Sequence, residues 1–590
     1  MLGTRSDQRG LLEADHLYLD HVGRHTFHGF LASLRGQLFR DEEFAELYCQ
    51  DNGRNSVPPS LLATALLLQA HDRVSDEEAK LRADFDIRWK VALGIAVEDR
   101  PFAKSTLQLF RAQLIIHDRV RAVFQRSLRY ARETGYLKRH KMKAALDTTY
   151  ILGRGAVKDT YNLLADGIVQ VVRALARLDG VRPKNWARRQ GLDLYFGSSM
   201  KGEAAIDWDD ERERRALLGR TVADADRVLE LARRAQGDFP VDSPHRKRIA
   251  EAAELLGQLL LQDVERKDGG PALKEGVSRD RIPSVHDPEM RHGRKSSSTR
   301  FDGHKAALVV DTESQLVTAV GVLPGNASDN TGALELVEES EANTGVEIGE
   351  TIADAAFGDG ATRQAFADAR RILIAKVPAR PQKAHFAKQD FRIDLETGTC
   401  TCPAGHVTRT IHTVTIRTNR SGQAFRARGF HFHGAVCRAC PLRPRCVAAG
   451  SGRGRTITLH PQEALLQQAR AFQKSEAFGE YRWRRQVAEH RLARLLQLGV
   501  RQARYFGRAK TLFQVLLAAT VANLTLVASK LGMMGRRICP AVSSLARGNQ
   551  QVTSASIIVA RLTSFLNVIV LSRWAAPRPS FCTGGFRPRF

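Results

Sequence analysis

The chain is short of acid. Its 590 residues carry 64 Asp and Glu against 90 Lys and Arg, giving a formal net charge of +26. Most of the excess is arginine, whose planar fork fits phosphate oxygens, so nucleic acid is the expected partner and an anionic membrane surface its rival. Long apolar runs are also scarce. The longest, 512–528, is broken by Gln514, Thr520, Asn523 and Thr525, which suits a buried helix better than a membrane span. The first thirteen residues are polar and charged rather than apolar, so no secretory leader is read and a cytoplasmic, nucleoid-associated protein is expected. A GxxxxGK[ST] loop is missing, which argues against a nucleotide-driven motor. Internal repeats are missing too. Eight cysteines in so long a chain do not make a disulfide framework.

Those cysteines are unevenly placed. Cys400, Cys402, Cys437, Cys440 and Cys446 fall within about fifty residues, with His406 among them. Cys437-x-x-Cys440 and Cys446, with Cys402-Pro-x-Gly upstream, have the spacing of two metal-binding knuckles. The reading is a structural Zn2+ on Cys402, Cys437, Cys440 and Cys446, with Cys400 or His406 as substitute ligand; reduced thiols without metal and an iron–sulfur cluster stay open.

The segment 481–510 holds nine Lys/Arg and a single carboxylate, Glu489. Val487, Leu492, Leu495, Leu496 and Val500 recur at helical spacing and give it one buried side. Arg485 and Arg482, four and seven residues earlier, share the face of Glu489. Either Glu489 is a salt-bridge partner on a charged helix, or it holds a metal that a polyanion meets while the arginines clamp that polyanion.

Upstream the chain reads as an α/β protein. Residues 1–135 look helical and suit a helix-turn-helix-like DNA-binding domain, with Ser75 and Ser105 as helix caps and Glu78 and Gln108 three residues on. A strand near 144–151 carries Asp147. Helices fill about 160–265, and a polar stretch over 267–300 reads as a loop. A hairpin spans 304–323, and Asn326–Asn330 is expected to cap the next helix. A short strand ends at Asp354, before Gly358 and Gly360. The cysteine-bearing insert occupies 386–460, and 461–530 returns to helix. The tail, 531–590, is basic and reads as disordered. Asp147, Asp354 and Glu489 can converge on a pair of divalent cations, but Asp159, Asp302, Asp311 and Asp359 are rival acids.

Several stretches carry a resemblance: PPSLLATALLLQ and STLQLFR, DTTYILGRGAVKDTYNLL, DPEMRHGRKSSSTRFDGHKAALVVD, PGNASDNTGALELV, ADAAFGDG, CPAG with CRACPLRPRC, and VAEHRLARLLQLGVRQARYFGRAK. Over about residues 25–530 the chain resembles bacterial insertion-sequence transposases of the DDE class. The resemblance implies an RNase H-like mixed-sheet core in 141–156 and 300–385, with a helical N-terminal domain, a helical insert (157–299), a zinc-binding insert and core helices in 461–530. It implies Asp147, Asp354 and Glu489 as catalytic ligands of Mg2+ or Mn2+. The expected substrates are element terminal repeats and target double-stranded DNA, cut and joined by a homodimer with no membrane partner. Tyr481, Arg485 and Glu489 fill three places of a Tyr-Arg-Glu-Lys set. The lysine place falls near Leu496, leaving Arg494, Arg508 or Lys510 as substitutes beside Arg482 for DNA contact. A metal-dependent nuclease, or an inactive relative acting as a DNA-binding regulator, is the alternative.

Overall fold

A computed structural model describes residues 1–5, 12–49, 51–138, 141–296, 298–378, 385–417, 424–447 and 453–532. The expected tail, including its apolar piece at 557–571, lies outside the described residues.

A six-stranded mixed sheet organises the chain. Its strands are β1 (Met142–Leu152), β2 (Arg291–Arg294), β3 (Arg300–Asp311), β4 (Val317–Pro324), β5 (Ile348–Ile352) and β6 (Ile372–Ile374). β3 lies antiparallel to β1 on one side, and on the other meets β2 along 300–303 and β4 along 304–310. β1, β5 and β6 run parallel to one another. Parallel neighbours require crossovers, and two helices supply them: α1 (Ala333–Thr344) before β5 and α2 (Gly360–Asp368) before β6. β3 is buried over almost its whole length, as a central strand rich in Val, Leu and Ala should be. Gly303 has φ +152°, and a Cβ there would lie 2.1 Å from the Ile151 carbonyl oxygen, so this crossing of β1 by β3 needs glycine.

One hydrophobic core runs from the N-terminal helices through the sheet to α4 (Arg508–Lys530), joining Leu66, Trp89, Phe124, Val309 and Phe513. α4 is long and apolar enough to cross a membrane, yet 78% of its apolar window is buried inside the protein. Helices between Thr160 and Asp263 enclose a second core, and a third, small one lies under the cysteine-bearing strands.

Several local expectations need revision. Ser75 does cap the Asp76–Phe85 helix by accepting from the Glu78 N–H, but Glu78 turns to Arg82 and does not close a capping box. The helix near Ser105 starts at Lys104 behind Ala103, and Gln108 instead donates to Asp76. α1 starts behind Gly332, because Asn330 is drawn away to Asp359 and Thr362. The 267–300 stretch also contains structure: Val264–Lys267 pairs with Gly270–Leu273, and β2 joins the main sheet.

Candidate active site

Two strands bring the first two acids level. Ala145 on β1 pairs with Ile352 on β5 in parallel register. Two residues further along come Asp147, still within β1, and Asp354, just past the end of β5, close enough for the Asp354 carboxylate to act on Asp147. Asp354 follows the end of β5 after one intervening residue, and its Oδ1 accepts from the Ala356 N–H at 2.8 Å. Asp147 lies inside β1, half-buried, and its Oδ1 accepts from the Thr148 N–H at 2.8 Å.

The third acid arrives on a helix, α3 (Phe478–Gln497), which precedes α4 and packs against β1. Ala488, Leu492 and Leu495 form its buried stripe, so Glu489 and Arg485 fall beside that stripe rather than under it. Arg485 pairs with Glu489 one turn on, and its Nη1 lies 4.0 Å from Asp147 Oδ2. Burial pushes the Asp147 carboxyl up to about 6; the neighbouring carboxylates of Asp354 and Glu489 add to the rise, while Arg485 and the Thr148 N–H oppose it. The oxygens of the three acids do not all lie within 4.8 Å of one another.

The rival acids have structural partners. Asp159 caps the Thr160–Leu178 helix, and Asp359 caps α2 while accepting from Asn330. Asp311 holds the β3–β4 turn through the Ser314 N–H and hydroxyl. Asp302 pairs with His292.

The basic residues separate into different settings. Arg482 and Lys510 are exposed. Arg494 is half-buried against Gln497, and burial lowers its pKa. Arg508 is tied to Glu289 through side chain and backbone N–H. Tyr481 packs on Phe472 with the Lys143 ammonium 5.5 Å from its ring centre, so it is engaged within the fold. Sequence reasoning missed Arg501, whose guanidinium sits 3.8 Å from the Tyr150 ring centre and donates to the Tyr150 carbonyl, pinning the segment after α3 to β1. It also missed Lys305, which donates to Asp329 and to the Ala327 carbonyl. Their long sequence separation left no local pattern to find.

Cys402, His406, Cys437, Cys440 and Cys446 line one cavity of about 20 Å³. Backbone turns present them: Gly405 N–H donates to the Cys402 carbonyl, with Gly405 at φ +85°, and Cys402 N–H donates to the His406 carbonyl. Burial raises the Cys446 thiol, and the nearby Cys437, Cys402 and Cys440 raise it further. Cys400 is fully buried in the small core, its thiol pushed up to about 11 by burial, and does not line the cavity. No three of these donor atoms lie mutually within 4.8 Å.

The fold and this acid-bearing face define an α/β protein with a mixed sheet and separate acid and thiol clusters. Comparison with known families gives two matches: "Transposase DDE domain" over residues 401–528, which includes the cysteine cavity and Glu489, and "Transposase domain (DUF772)" over residues 23–113. These two matches cover separate stretches of the chain and support its similarity to insertion-sequence transposases of the DDE class. No curated protein and no solved structure matches it.

Proposed function

We propose that the chain cuts the ends of an insertion sequence and joins them to target DNA by metal-assisted phosphoryl transfer, with Asp147, Asp354 and Glu489 as the metal ligands. The observation that carries this reading is the burial of Asp147 beside two further carboxylates from distant parts of the chain, which raises its pKa and favours a bound divalent cation. Hard oxygen donors of this kind suit Mg2+ or Mn2+. Bound there, such ions would supply Lewis-acid stabilisation of the attacking and leaving oxygens.

The chain's own residues have separable tasks. The three carboxylates hold the cation site. Arg485, which lies between Asp147 and Glu489, would be free for a DNA phosphate with divalent cations bound to those acids, and the exposed Arg482 and Lys510 bind further phosphates. Arg494 and Arg508 contribute less, being engaged with Gln497 and Glu289. Tyr481 steadies α3. The four cysteines Cys402, Cys437, Cys440 and Cys446 hold one structural Zn2+: their thiols surround a cavity that accepts about one small sphere, and a sulfur donor set suits zinc. A homodimer bringing two element ends together belongs to the same proposal.

The test is incubation of the protein with Mg2+ and DNA carrying the flanking ends of its own gene. Nicked 3′ ends and joined products support the proposal. Binding without cleavage would reject it in favour of a DNA-binding regulator.

A further inference from the structure

Far along the sequence from the acids, the N-terminal helices bring two histidines and an aspartate together. His28 lies on the Phe27–Ser33 helix, and His71 and Asp72 end the Pro59–Asp72 helix. One donor atom from each of the three lies within 4.8 Å of the other two, and among the described residues no other group of His, Cys, Asp or Glu meets that condition. His71 Nδ1 is 2.8 Å from Asp72 Oδ1, and His28 Nε2 is 3.7 Å from Asp72 Oδ2.

That second distance is too long for a hydrogen bond, and His28 Nε2 is buried with no hydrogen-bond partner. Ligand–metal bonds of about 2.0–2.2 Å in a tetrahedral site separate neighbouring donors by roughly 3.4 Å, so the observed spacing needs little adjustment. Outer partners fix the ligands. Trp89 Nε1 and Arg82 each donate to Asp72 Oδ2 at 2.8 Å, and the His71 ring stacks on Phe27 at 4.3 Å. His71 keeps 27% of its side chain exposed, which leaves a path to solvent for a fourth ligand.

We infer that His28, His71 and Asp72 form a second transition-metal site, with zinc the best-suited ion, clamping the Phe27–Ser33 helix to the Pro59–Asp72 helix. Imidazole and carboxylate donors with one open position suit Zn2+ and Co2+. The site shares no ligand with the cysteine cavity or the acids, so it stands or falls independently of the proposed activity.

Metal-free full-length protein titrated with Co2+ tests this. The expected result is one equivalent whose visible spectrum lacks a thiolate-to-cobalt charge-transfer band, over and above any thiolate-bound cobalt. His28→Gln and His71→Gln should each lose that equivalent with far-UV circular dichroism unchanged. Should H28Q fail to fold, the partly exposed His71 position carries the comparison alone. Cobalt binding with only thiolate character, or an equivalent retained in folded H71Q, would overturn the site.

Discussion

Arg485 reaches both Glu489, one helical turn away, and Asp147 on β1, so a single guanidinium spans two of the three clustered acids. The arrangement gives the cation-free protein an internal counter-ion. A basic helix over a cluster of carboxylates would otherwise leave three negative charges facing one another beside a half-buried strand. Displacing Arg485 then couples cation loading to a phosphate contact, because the same guanidinium cannot serve both.

Removing either acid separates binding from chemistry. Asp147→Asn and Glu489→Gln should each lower strand cleavage more than about 100-fold, since even outer-shell partners of metal ligands are worth 10–100-fold. Both should keep DNA affinity near wild type, because neither removes a phosphate contact. Gel-shift and cleavage assays on the same preparations check this; cleavage surviving in both variants would remove these acids from the mechanism.

The raised Asp147 pKa makes a stability prediction with a definite sign. In the unfolded chain this carboxyl ionises near its ordinary value of 3.8, and in the fold at about 6. Well below pH 3.8 it is protonated in both states. Between those values the unfolded chain releases its proton first, so stability falls as pH rises and the loss is complete above about 6. Two pH units correspond to at most about 3 kcal/mol. Without divalent cations, Asp147→Asn should therefore raise Tm at pH 7.5 and change it far less at pH 4. Added Mg2+ should stabilise the wild type and not the variant. Thermal scans at the two pH values, with and without Mg2+, decide it.

What could be read beforehand followed from local pattern. β-Branched residues around Asp147 and the apolar run of β3 marked strands, and the stripe through Leu492 and Leu495 marked α3. The cysteine spacing marked one cluster, while the choice between Cys400 and His406 needed the fold, which turns Cys400 into the small core. Contacts across hundreds of residues were illegible: Arg501 on Tyr150, Trp89 on Asp72, and the sharing of one core by the N-terminal helices and the sheet. Helix starts failed where a polar side chain had a stronger distant partner, as Asn330 and Gln108 do.

Asn523 illustrates such a distant tie and gives a stability test. Fully buried on α4, it accepts from the Val317 N–H at 2.9 Å and donates to the Val317 carbonyl at 2.8 Å. It thereby pairs the start of the outer strand β4, whose backbone groups would otherwise be buried unsatisfied. Asn523→Leu removes both partners and should cost about 2–4 kcal/mol, from two backbone groups at about 1–3 kcal/mol each less the gain from apolar burial. Urea denaturation should show the midpoint falling with the slope unchanged; a loss within 0.5 kcal/mol, the usual surface value, would count against this role for Asn523.

DNA affinity should fall steeply with salt. Counter-ions released from phosphates give a log–log slope near −0.9 per contact, so about six contacts cost roughly a thousandfold between 50 and 200 mM salt. Arg482→Ala and Lys510→Ala should each reduce the slope by about one, because both side chains are exposed and available to phosphate. Arg508→Ala should change it less, since Glu289 already holds that guanidinium and its release offsets the contact it makes. Fluorescence anisotropy at four salt concentrations gives all four slopes. A flat wild-type response would rule out the phosphate-clamping face, and equal slopes for the wild type and Arg482→Ala would move the clamp away from α3.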